Sequence, residues 1–182
     1  MALSRVWRSA AVFVVLAVSA AGCGAGVQED AGTGSDKEFS VVEVSAGCEV
    51  EVSVDTGSKP QVQVPDCDPP SALFVADVVE GSGDGAAAGD AVSVHYAGFH
   101  WTTGAQFDAS WDRGAPFDVS PLGSAPVIQG WNDGLVGARV GDRRLLVLPP
   151  ELGYGAAGAG GVIGPNETLV FVVDVVAING RS

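Results

Sequence analysis

The residues with the most evident chemical potential in this sequence are aromatic and apolar side chains that lie beside glycines, prolines and turn residues. Core residues are placed less often in such positions, so these side chains are candidates for the walls of a pocket. One carboxylate and one guanidinium group, Asp108 and Arg113, lie among them. A water-excluding pocket of this kind could favour reaction states that are less polar than the ground state. An ordinary aromatic core is the alternative. The set is Tyr96, Phe107, Phe117, Val127, Ile128, Trp131, Tyr154, Val162, Ile163 and Phe171.

Residues for covalent or metal-assisted chemistry do not form a recognisable pattern in the sequence. His95 and His100 are five residues apart in a strand-like context, which directs them to opposite faces. No Cys/His cluster has the spacing of a zinc site, and no Gly-x-Ser-x-Gly elbow is present. The glycine-rich residues 153–164 lack the ending of a phosphate-binding loop and precede a strand pattern instead of a helix. We therefore expect no metal and no cofactor, and any catalysis must proceed without a covalent intermediate.

The elements that must position these residues are mainly strands. Alternate apolar residues from Leu169 to Val175 share one face of a long strand pattern. The only plausible helix is short and lies near residues 131–138, because Gly134 and Gly137 limit its length. The order of elements predicts an antiparallel sheet with one small helix on its concave face, an α+β arrangement, in residues 71–180. Strand patterns cover residues 72–79, 91–96, 143–148 and 168–178.

Residues 39–70 have a pattern of their own ahead of that domain. Residues 48–55 and 61–64 alternate in polarity on either side of a turn, which predicts a β-hairpin. Such a short unit cannot form a core by itself, so we expect it to pack on the domain that follows. Cys48 and Cys67 would lie in an oxidising compartment in an exported protein, and a disulfide between them can persist there. Two free thiols, or pairing with another chain, are the alternatives.

The first 22 residues have the organisation of a secretory signal. Arg5 and Arg8 precede an apolar run of about a dozen residues that ends in small residues. This run is shorter than the roughly 20 residues that span a bilayer as a helix. The segment Ala-Ala-Gly-Cys ending at Cys23 resembles a bacterial lipobox, with alanine at the position where leucine is commonest. The resemblance implies that Cys23 is acylated and that residues 1–22 are removed. Ordinary secretion, with Cys23 in the removed peptide, is the alternative.

Residues 23–38 have the composition of a flexible tether. They are rich in Gly, Ala, Asp and Glu and contain no large apolar residue. Such a segment cannot bury enough surface to offset the entropy lost on ordering. Together with the lipobox, this predicts an exported protein on the outer face of the bacterial cell membrane, held there through its lipid anchor only.

The charge of the chain excludes several classes of partner. The formal net charge is −13, and it becomes −15 without residues 1–22, because they contain two arginines and no acidic residue. An acidic surface repels nucleic-acid phosphates and anionic lipid headgroups, which argues against nucleic-acid binding and polybasic-type membrane binding. The charge also serves solubility, and we expect a monomer.

Six segments of the sequence resemble the pattern of the FKBP-type peptidyl-prolyl isomerases. They occur in the order of that family and with nearly its spacing over about 105 residues, which makes them far more specific together than any one alone. The segments are VHYAG at 94–98, GAQFDAS at 104–110, GAPF at 114–117, VIQGWNDGL at 127–135, LGYG at 152–155 and TLVF at 168–171.

This resemblance implies a fold and a pocket. The family fold is a five- or six-stranded antiparallel sheet wrapped around a short helix, with the active pocket between them. Trp131, at the start of the helix, resembles the pocket floor that packs on the proline ring of the substrate. The walls implied by the resemblance are Tyr96, Phe107, Phe117, Val127, Ile128 and Phe171, with Val162 and Ile163 at the edge of a flap.

The resemblance also implies polar roles. The backbone N–H of Ile128 and the hydroxyl of Tyr154 resemble donors to the carbonyl groups of a ligand. Asp108 resembles a buried carboxylate that bonds both the ligand and Tyr96 and is held by Arg113. The alternative for Asp108 is an ion pair with Arg113 that only fixes the geometry of its strand.

The function implied is prolyl cis-trans isomerisation during the folding of exported proteins, with proline-containing polypeptides as partners. Macrolides such as rapamycin should also bind. A binding or chaperone module that captures proline-containing clients is one alternative, and an envelope or adhesion protein that uses residues 48–64 is another. The implied catalytic set is Tyr96, Phe107, Asp108, Trp131, Tyr154 and Phe171, and the implied substrate-binding set is Arg113, Phe117, Val127, Ile128, Val162 and Ile163.

Overall fold

The computed structural model describes residues 37–182 of the chain. The predicted signal segment, Cys23 and all but the last two residues of the predicted tether lie outside the described residues. Among residues 37–182, no helix is both long enough and apolar enough to cross a membrane.

The first three strands form a small antiparallel sheet: β1 (Phe39–Ser45), β2 (Cys48–Ser53) and β3 (Val62–Gln63). Strand β2 lies in the middle and pairs with both others. The pairing of β2 with β3 is the expected hairpin, but the prediction missed β1. The sequence of β1 contains two consecutive valines, Val41 and Val42, which break the alternation of polarity that identifies a strand.

The main sheet has six strands, and its order is β4–β8–β9–β5–β6, with β7 pairing with β5. All of its pairings are antiparallel. Together with the single short α-helix found among residues 37–182, this confirms the predicted α+β class and the expected sheet. The strands are β4 (Phe74–Val79), β5 (Val92–His100), β6 (Gln106–Ala109), β7 (Phe117–Val119), β8 (Arg143–Leu148) and β9 (Leu169–Ile178). Short 3₁₀ turns occupy Trp111–Arg113, Pro150–Leu152 and Gly155–Ala157.

The helix α1 spans Gln129–Gly134, so it starts earlier and ends sooner than the predicted residues 131–138. The chain leaves the helix at once because Gly137 adopts a φ of +79°, a left-handed conformation that glycine adopts without strain. Arg144 of β8 donates hydrogen bonds to the carbonyl oxygens of Gly134, at 3.0 Å, and Val136, at 3.1 Å. Its guanidinium group is itself held by both carboxylate oxygens of Asp77, at 2.6 and 3.0 Å. The main sheet thereby fixes the end of the helix.

The main sheet is buried on both faces. In β9, Phe171 and Val173 pack in the cluster that contains Trp131 of α1, as the predicted shared face requires. The residues that alternate with them, Val170 and Val172, point to the other face and pack in a second cluster with residues of β1 and β2, such as Val52. The small N-terminal sheet therefore covers the face of the main sheet opposite the helix. Each fully buried aliphatic side chain contributes about 1.5–3 kcal/mol, and this explains how so short a unit is stabilised.

A disulfide closes the N-terminal segment. Cys48 and Cys67 are bridged, with their Cα atoms 6.1 Å apart, which confirms the predicted pairing. The indole Nε1 of Trp101 donates to the carbonyl oxygen of Cys67 at 3.0 Å. The bridged segment is thus joined to the chain that leaves β5.

A buried arginine connects the two sheets. Arg143 of β8 is inaccessible to solvent and donates to both carboxylate oxygens of Asp174 in β9, at 2.6 and 2.8 Å. It also donates to the carbonyl oxygens of Ser53, at 2.7 Å, and Ser58, at 2.8 Å, in the N-terminal segment. Burial raises the pKa of Asp174, although the bonds from Arg143 act in the opposite direction. One guanidinium group therefore satisfies acceptors from three parts of the chain.

Candidate functional site

A cavity of about 260 Å³ lies where strands β5, β6, β7 and β9 meet the helix and the residues just before it. Trp131 and Tyr154, which are 23 positions apart in the sequence, both line it. The structure therefore brings together side chains that the sequence distributes over 76 positions, from Tyr96 to Phe171. The lining residues are Tyr96, Phe107, Asp108, Phe117, Pro126, Val127, Ile128, Trp131, Tyr154 and Phe171.

The indole of Trp131 is the common neighbour of the rings around the cavity. Its centroid lies 4.9 Å from that of Tyr96, 5.3 Å from Phe171 and 5.9 Å from Phe117. All three contacts are nearly perpendicular, the edge-to-face arrangement that aromatic pairs prefer. Phe107 extends the set through an edge-to-face contact with Phe171 at 5.5 Å. The rings therefore hold one another in place and leave little freedom for the walls to move.

The indole nitrogen of Trp131 is also unusual. It is buried, and no hydrogen-bond partner for it is present among residues 37–182. An unsatisfied buried donor costs about 1–3 kcal/mol. The free energy of placing the indole at the floor of the cavity therefore includes this cost.

The segment before the helix is held by the side chain of Asn132. Its amide donates to the carbonyl oxygen of Ala125 and accepts from the backbone N–H of Ala125, both at 3.0 Å. This two-bond clamp fixes the start of the segment that supplies Pro126, Val127 and Ile128 to the cavity. The backbone N–H of Trp131 then donates to the carbonyl oxygen of Ile128 at 3.1 Å, which begins the helix.

Two groups at the cavity have free donors. No hydrogen bond from the backbone N–H of Ile128 to another residue is present within residues 37–182, because Ile128 precedes the first turn of the helix. The hydroxyl of Tyr154 likewise has no bond to another described side chain, and the residue is partly exposed at the cavity mouth. Both groups are thus available to a ligand.

A three-membered polar network lies beside the rings. The hydroxyl of Tyr96 donates to one carboxylate oxygen of Asp108 at 2.5 Å, and Arg113 donates to the other at 2.5 Å. Arg113 also donates to the Tyr96 hydroxyl oxygen at 2.8 Å, and its guanidinium carbon lies 5.6 Å from the centroid of the Tyr96 ring. The predicted links from Asp108 to Tyr96 and Arg113 are present, and they fix the orientation of the Tyr96 ring.

The expectation that Asp108 is buried is wrong. Its side chain is 42% exposed, and it lies on β6, which is an edge strand of the main sheet. Burial raises the pKa of Asp108, but the hydrogen bonds from Tyr96 and Arg113 outweigh this effect and hold the pKa below its usual value. Burial, followed by the neighbouring carboxylate, raises the pKa of Tyr96. The carboxylate is therefore ionised at neutral pH, and the phenol is protonated.

Three residues of the predicted set do not line the cavity. Arg113 lies behind Tyr96 and contacts the network instead of the cavity wall. Val162 points outward and is 58% exposed, whereas Ile163 is buried in the cluster beneath the loop. Adjacent residues of a tight turn face different directions, and neither of the two residues predicted at the edge of the flap lines the cavity.

Two residues of the site were not predicted. Pro126 lines the cavity, and Asn132 holds the segment that contains it. The signal for both was their position: Pro126 directly precedes a matched segment, and Asn132 is a polar residue next to the predicted floor residue Trp131. Among the described residues, no group of three or more histidine, cysteine, aspartate or glutamate side chains is placed to hold a metal ion.

Comparison with known proteins agrees with this geometry. The chain is 50% identical over 121 residues to an FK506-binding protein of Streptomyces anulatus, an alignment that covers 66% of this chain and 97% of that protein. It is 41% identical over 119 residues to a probable FK506-binding protein of Corynebacterium glutamicum, covering 65% and 98%. The crystal structure of FkpA from Escherichia coli matches with a TM-score of 0.53 and 40% identity. That match covers 58% of this chain and 47% of the FkpA chain, so this chain spans less than half of the latter.

The sequence model of one family covers the site. It describes the FKBP-type peptidyl-prolyl cis-trans isomerases, and it matches residues 83–176, which include every residue that lines the cavity. The matched segment is more than half of the chain, and the bacterial relatives align along nearly their whole length. The chain therefore belongs to the family of FKBP-type peptidyl-prolyl cis-trans isomerases.

Proposed function

We propose that this isomerase accelerates the rotation of X-Pro peptide bonds in exported polypeptides by binding the twisted amide in the Trp131 cavity. The observation that carries the proposal is the closed set of rings around Trp131, with unused donors at its edge. The mechanism requires no nucleophile and no transfer of a proton.

The barrier to this reaction is electronic. Resonance gives the peptide C–N bond partial double-bond character and a rotational barrier of roughly 18–20 kcal/mol. Uncatalysed X-Pro isomerisation therefore takes tens to hundreds of seconds. The planar amide carries partial charges that water stabilises, and the half-rotated amide has lost that resonance. An environment that withholds water thus disfavours the planar state more than the twisted one.

The cavity supplies such an environment. Its volume is slightly below the roughly 300–1,000 Å³ of pockets that enclose drug-sized ligands, which suits a proline ring and its amide. The proline ring would pack on the face of Trp131, and the rings of Tyr96 and Phe171 already hold that indole in place. Tighter binding of the twisted state than of the planar state lowers the activation barrier directly.

Hydrogen bonds would orient the substrate. The backbone N–H of Ile128 and the hydroxyl of Tyr154 can donate to carbonyl groups on either side of the proline, which holds the flanking chain while the amide rotates. Asp108 faces the cavity and can accept from the substrate, and Arg113 acts only by holding Asp108 and Tyr96. The preorganised network means that these groups need not rearrange during the reaction.

The cellular role is part of the same proposal. Residues 1–22 and Cys23 have the pattern of a lipoprotein signal, and a structural disulfide such as that between Cys48 and Cys67 is typical of an oxidising compartment. We place the enzyme on the outer face of the cell membrane, where newly exported chains fold. Its relatives are named for binding FK506, and the same cavity in this chain would bind FK506 or rapamycin in place of proline peptides.

One experiment separates catalysis from simple capture of clients. The purified protein is mixed with an Ala-Leu-Pro-Phe peptide, the cis-trans exchange rate is measured by NMR, and the affinity for the same peptide is measured by calorimetry. Catalysis predicts a large increase in exchange rate with weak affinity, and inhibition by rapamycin. Tight binding without acceleration would instead support a binding or chaperone module.

A further inference from the structure

The loop of residues 155–166, here called the flap, connects the cavity residue Tyr154 to β9. It is tightly folded: Ala159 and Ile163 exchange two backbone hydrogen bonds, both at 3.0 Å. The backbone N–H of Asn166 donates to the carbonyl oxygen of Gly155 at 2.8 Å and closes the base of the flap. A side chain at Gly158 would come within 2.3 Å of the Ile163 carbonyl oxygen, so the turn has one compact form. Such a unit moves as a whole, and its attachments determine where it lies.

The carboxylate of Glu167 is one of those attachments. One oxygen accepts from the backbone N–H of Gly164 in the flap at 2.8 Å. The other lies 2.6 Å from Nδ1 of His100, the last residue of β5, and 3.4 Å from the hydroxyl of Thr102. The side chains of His100 and Glu167 are each only 13% exposed. Bonds that involve a charged group in so protected a place are stronger than neutral ones.

The other side of His100 touches the wall of the cavity. Its ring centroid lies 5.1 Å from that of Phe107, and Phe107 in turn packs edge-to-face on Phe171. A continuous chain of contacts thus runs from Gly164 through Glu167 and His100 to Phe107. The cavity mechanism uses neither His100 nor Glu167. Both side chains carry ionisable groups that are largely withdrawn from water. Because burying such groups is costly, their burial indicates a role in the structure or the function.

We propose that Glu167 is a positioning residue for isomerisation, which holds the flap at a fixed distance from the Phe107 wall through His100. The inference rests on the proposed function, since it assigns Glu167 the task of keeping Phe107 and Tyr154, which both line the cavity, in fixed positions. Loss of the anchor removes no side chain from the cavity but allows the Phe107 ring and the Tyr154 end of the flap to shift. The effect is therefore expected on turnover of the bound amide more than on peptide affinity.

The test compares Glu167→Ala with Glu167→Gln in the full mature chain. The glutamine oxygen can still accept from Gly164, and its amide can still bond His100, so this variant should retain kcat/KM within about threefold of wild type. The alanine variant loses both bonds, and kcat/KM on an X-Pro peptide should fall about tenfold, mainly through kcat, with KM changed by less than about twofold. Glu80→Ala is the matched control, because Glu80 is an exposed glutamate outside the site. His100→Gln should give an intermediate loss.

Amide hydrogen exchange provides the readout that is independent of catalysis. The N–H of Gly164 is bonded only to Glu167 among the described residues, so its exchange should accelerate about tenfold in Glu167→Ala and remain slow in Glu80→Ala. Urea unfolding of each variant identifies any loss of fold. Were Glu167→Ala not to fold, His100→Gln would test the link to Phe107 through kcat/KM, with Glu167→Gln as the variant expected to stay near wild type.

The outcomes are distinct. Unchanged Gly164 exchange in Glu167→Ala overturns the anchor itself. Faster exchange with kcat/KM equal to that of Glu80→Ala makes Glu167 purely structural and overturns its role in isomerisation. A wild-type protein without isomerase activity refutes the proposed function and this role with it, while the Gly164 exchange still reports whether the flap is anchored.

Discussion

Replacement of Arg143 by methionine should show how strongly the two sheets depend on one buried guanidinium group. The variant keeps much of the side-chain volume but removes two bonds to Asp174 and the bonds to the carbonyl oxygens of Ser53 and Ser58. It leaves the Asp174 carboxylate buried without its cation. Breaking a buried pair in this way costs about 3–5 kcal/mol. For a protein of this size we expect the Tm to fall by roughly 6–20 °C.

Urea unfolding followed by far-UV circular dichroism measures this loss. Arg139→Met is the matched control, because Arg139 is exposed and its side chain makes no hydrogen bond among the described residues; its cost should stay within about 0.5 kcal/mol. The double variant Arg143→Met/Asp174→Leu should recover part of the loss, because the uncompensated charge is gone. A loss in Arg143→Met no larger than that in Arg139→Met would refute the reasoning.

The pH dependence of the same variant has a definite sign. Burial already raises the pKa of Asp174 in the native protein, and removal of Arg143 takes away the interactions that oppose this rise. A carboxyl group with a raised pKa in the folded state favours folding when protonated, and this contribution is lost as pH rises through the folded pKa. The deficit of Arg143→Met relative to wild type should therefore be smallest near pH 3 and largest at neutral pH.

Three further predictions concern the walls, the disulfide and the polar network. A Cβ at Gly98 would lie 2.6 Å from Phe107 and 2.8 Å from Phe171, so Gly98→Ala should displace both of these rings. The variant should lose about 1–3 kcal/mol of stability and have a lower kcat/KM. Normal activity would contradict the assignment of these rings as cavity walls. Replacing both Cys48 and Cys67 by alanine should cost about 3 kcal/mol without changing kcat/KM of the folded protein, as measured by urea unfolding and the peptide assay. Because the pKa of Asp108 is lowered in the folded protein, the Asp108 carboxylate stabilises the fold above about pH 4, and this stabilisation is lost as the pH falls through the folded pKa. On acidification, the wild-type protein should therefore lose stability more steeply than the Asp108→Asn variant does.

The parts of the fold that were predicted correctly are those with a clear local pattern. In β9, alternate residues such as Phe171 and Val173 do lie on one face, because period-two polarity directly reflects a strand between two environments. The strand β1 was missed because Val41 lies on its exposed face, so the sequence does not alternate in polarity although Val42 and Val44 pack inward. The helix was predicted between the right strands, but its predicted bounds lie too far along the chain, since its end depends on Arg144, which is distant in sequence.

The sequence predicted which side chains meet at the cavity better than it predicted their exposure. The family segments correctly brought Tyr96, Phe107 and Trp131 to one cavity. Asp108 was expected to be buried and is not, because the exposure of a side chain depends on the tertiary structure around it and not on local sequence. The contact of His100 with Glu167 joins residues 67 positions apart, and no short pattern signals such a pair.

The central claim is that the cavity floor at Trp131 binds the rotated prolyl amide, and a comparison of two tryptophans tests it most directly. Trp131 and Trp101 are almost equally buried, at 4% and 5% exposure, but Trp101 lies on the opposite face of the main sheet. Each is replaced by leucine, and kcat/KM for an X-Pro peptide is measured under conditions where both variants are folded. The account predicts a loss of at least tenfold in Trp131→Leu and a change of less than about twofold in Trp101→Leu. Equal activity in the two variants would contradict it.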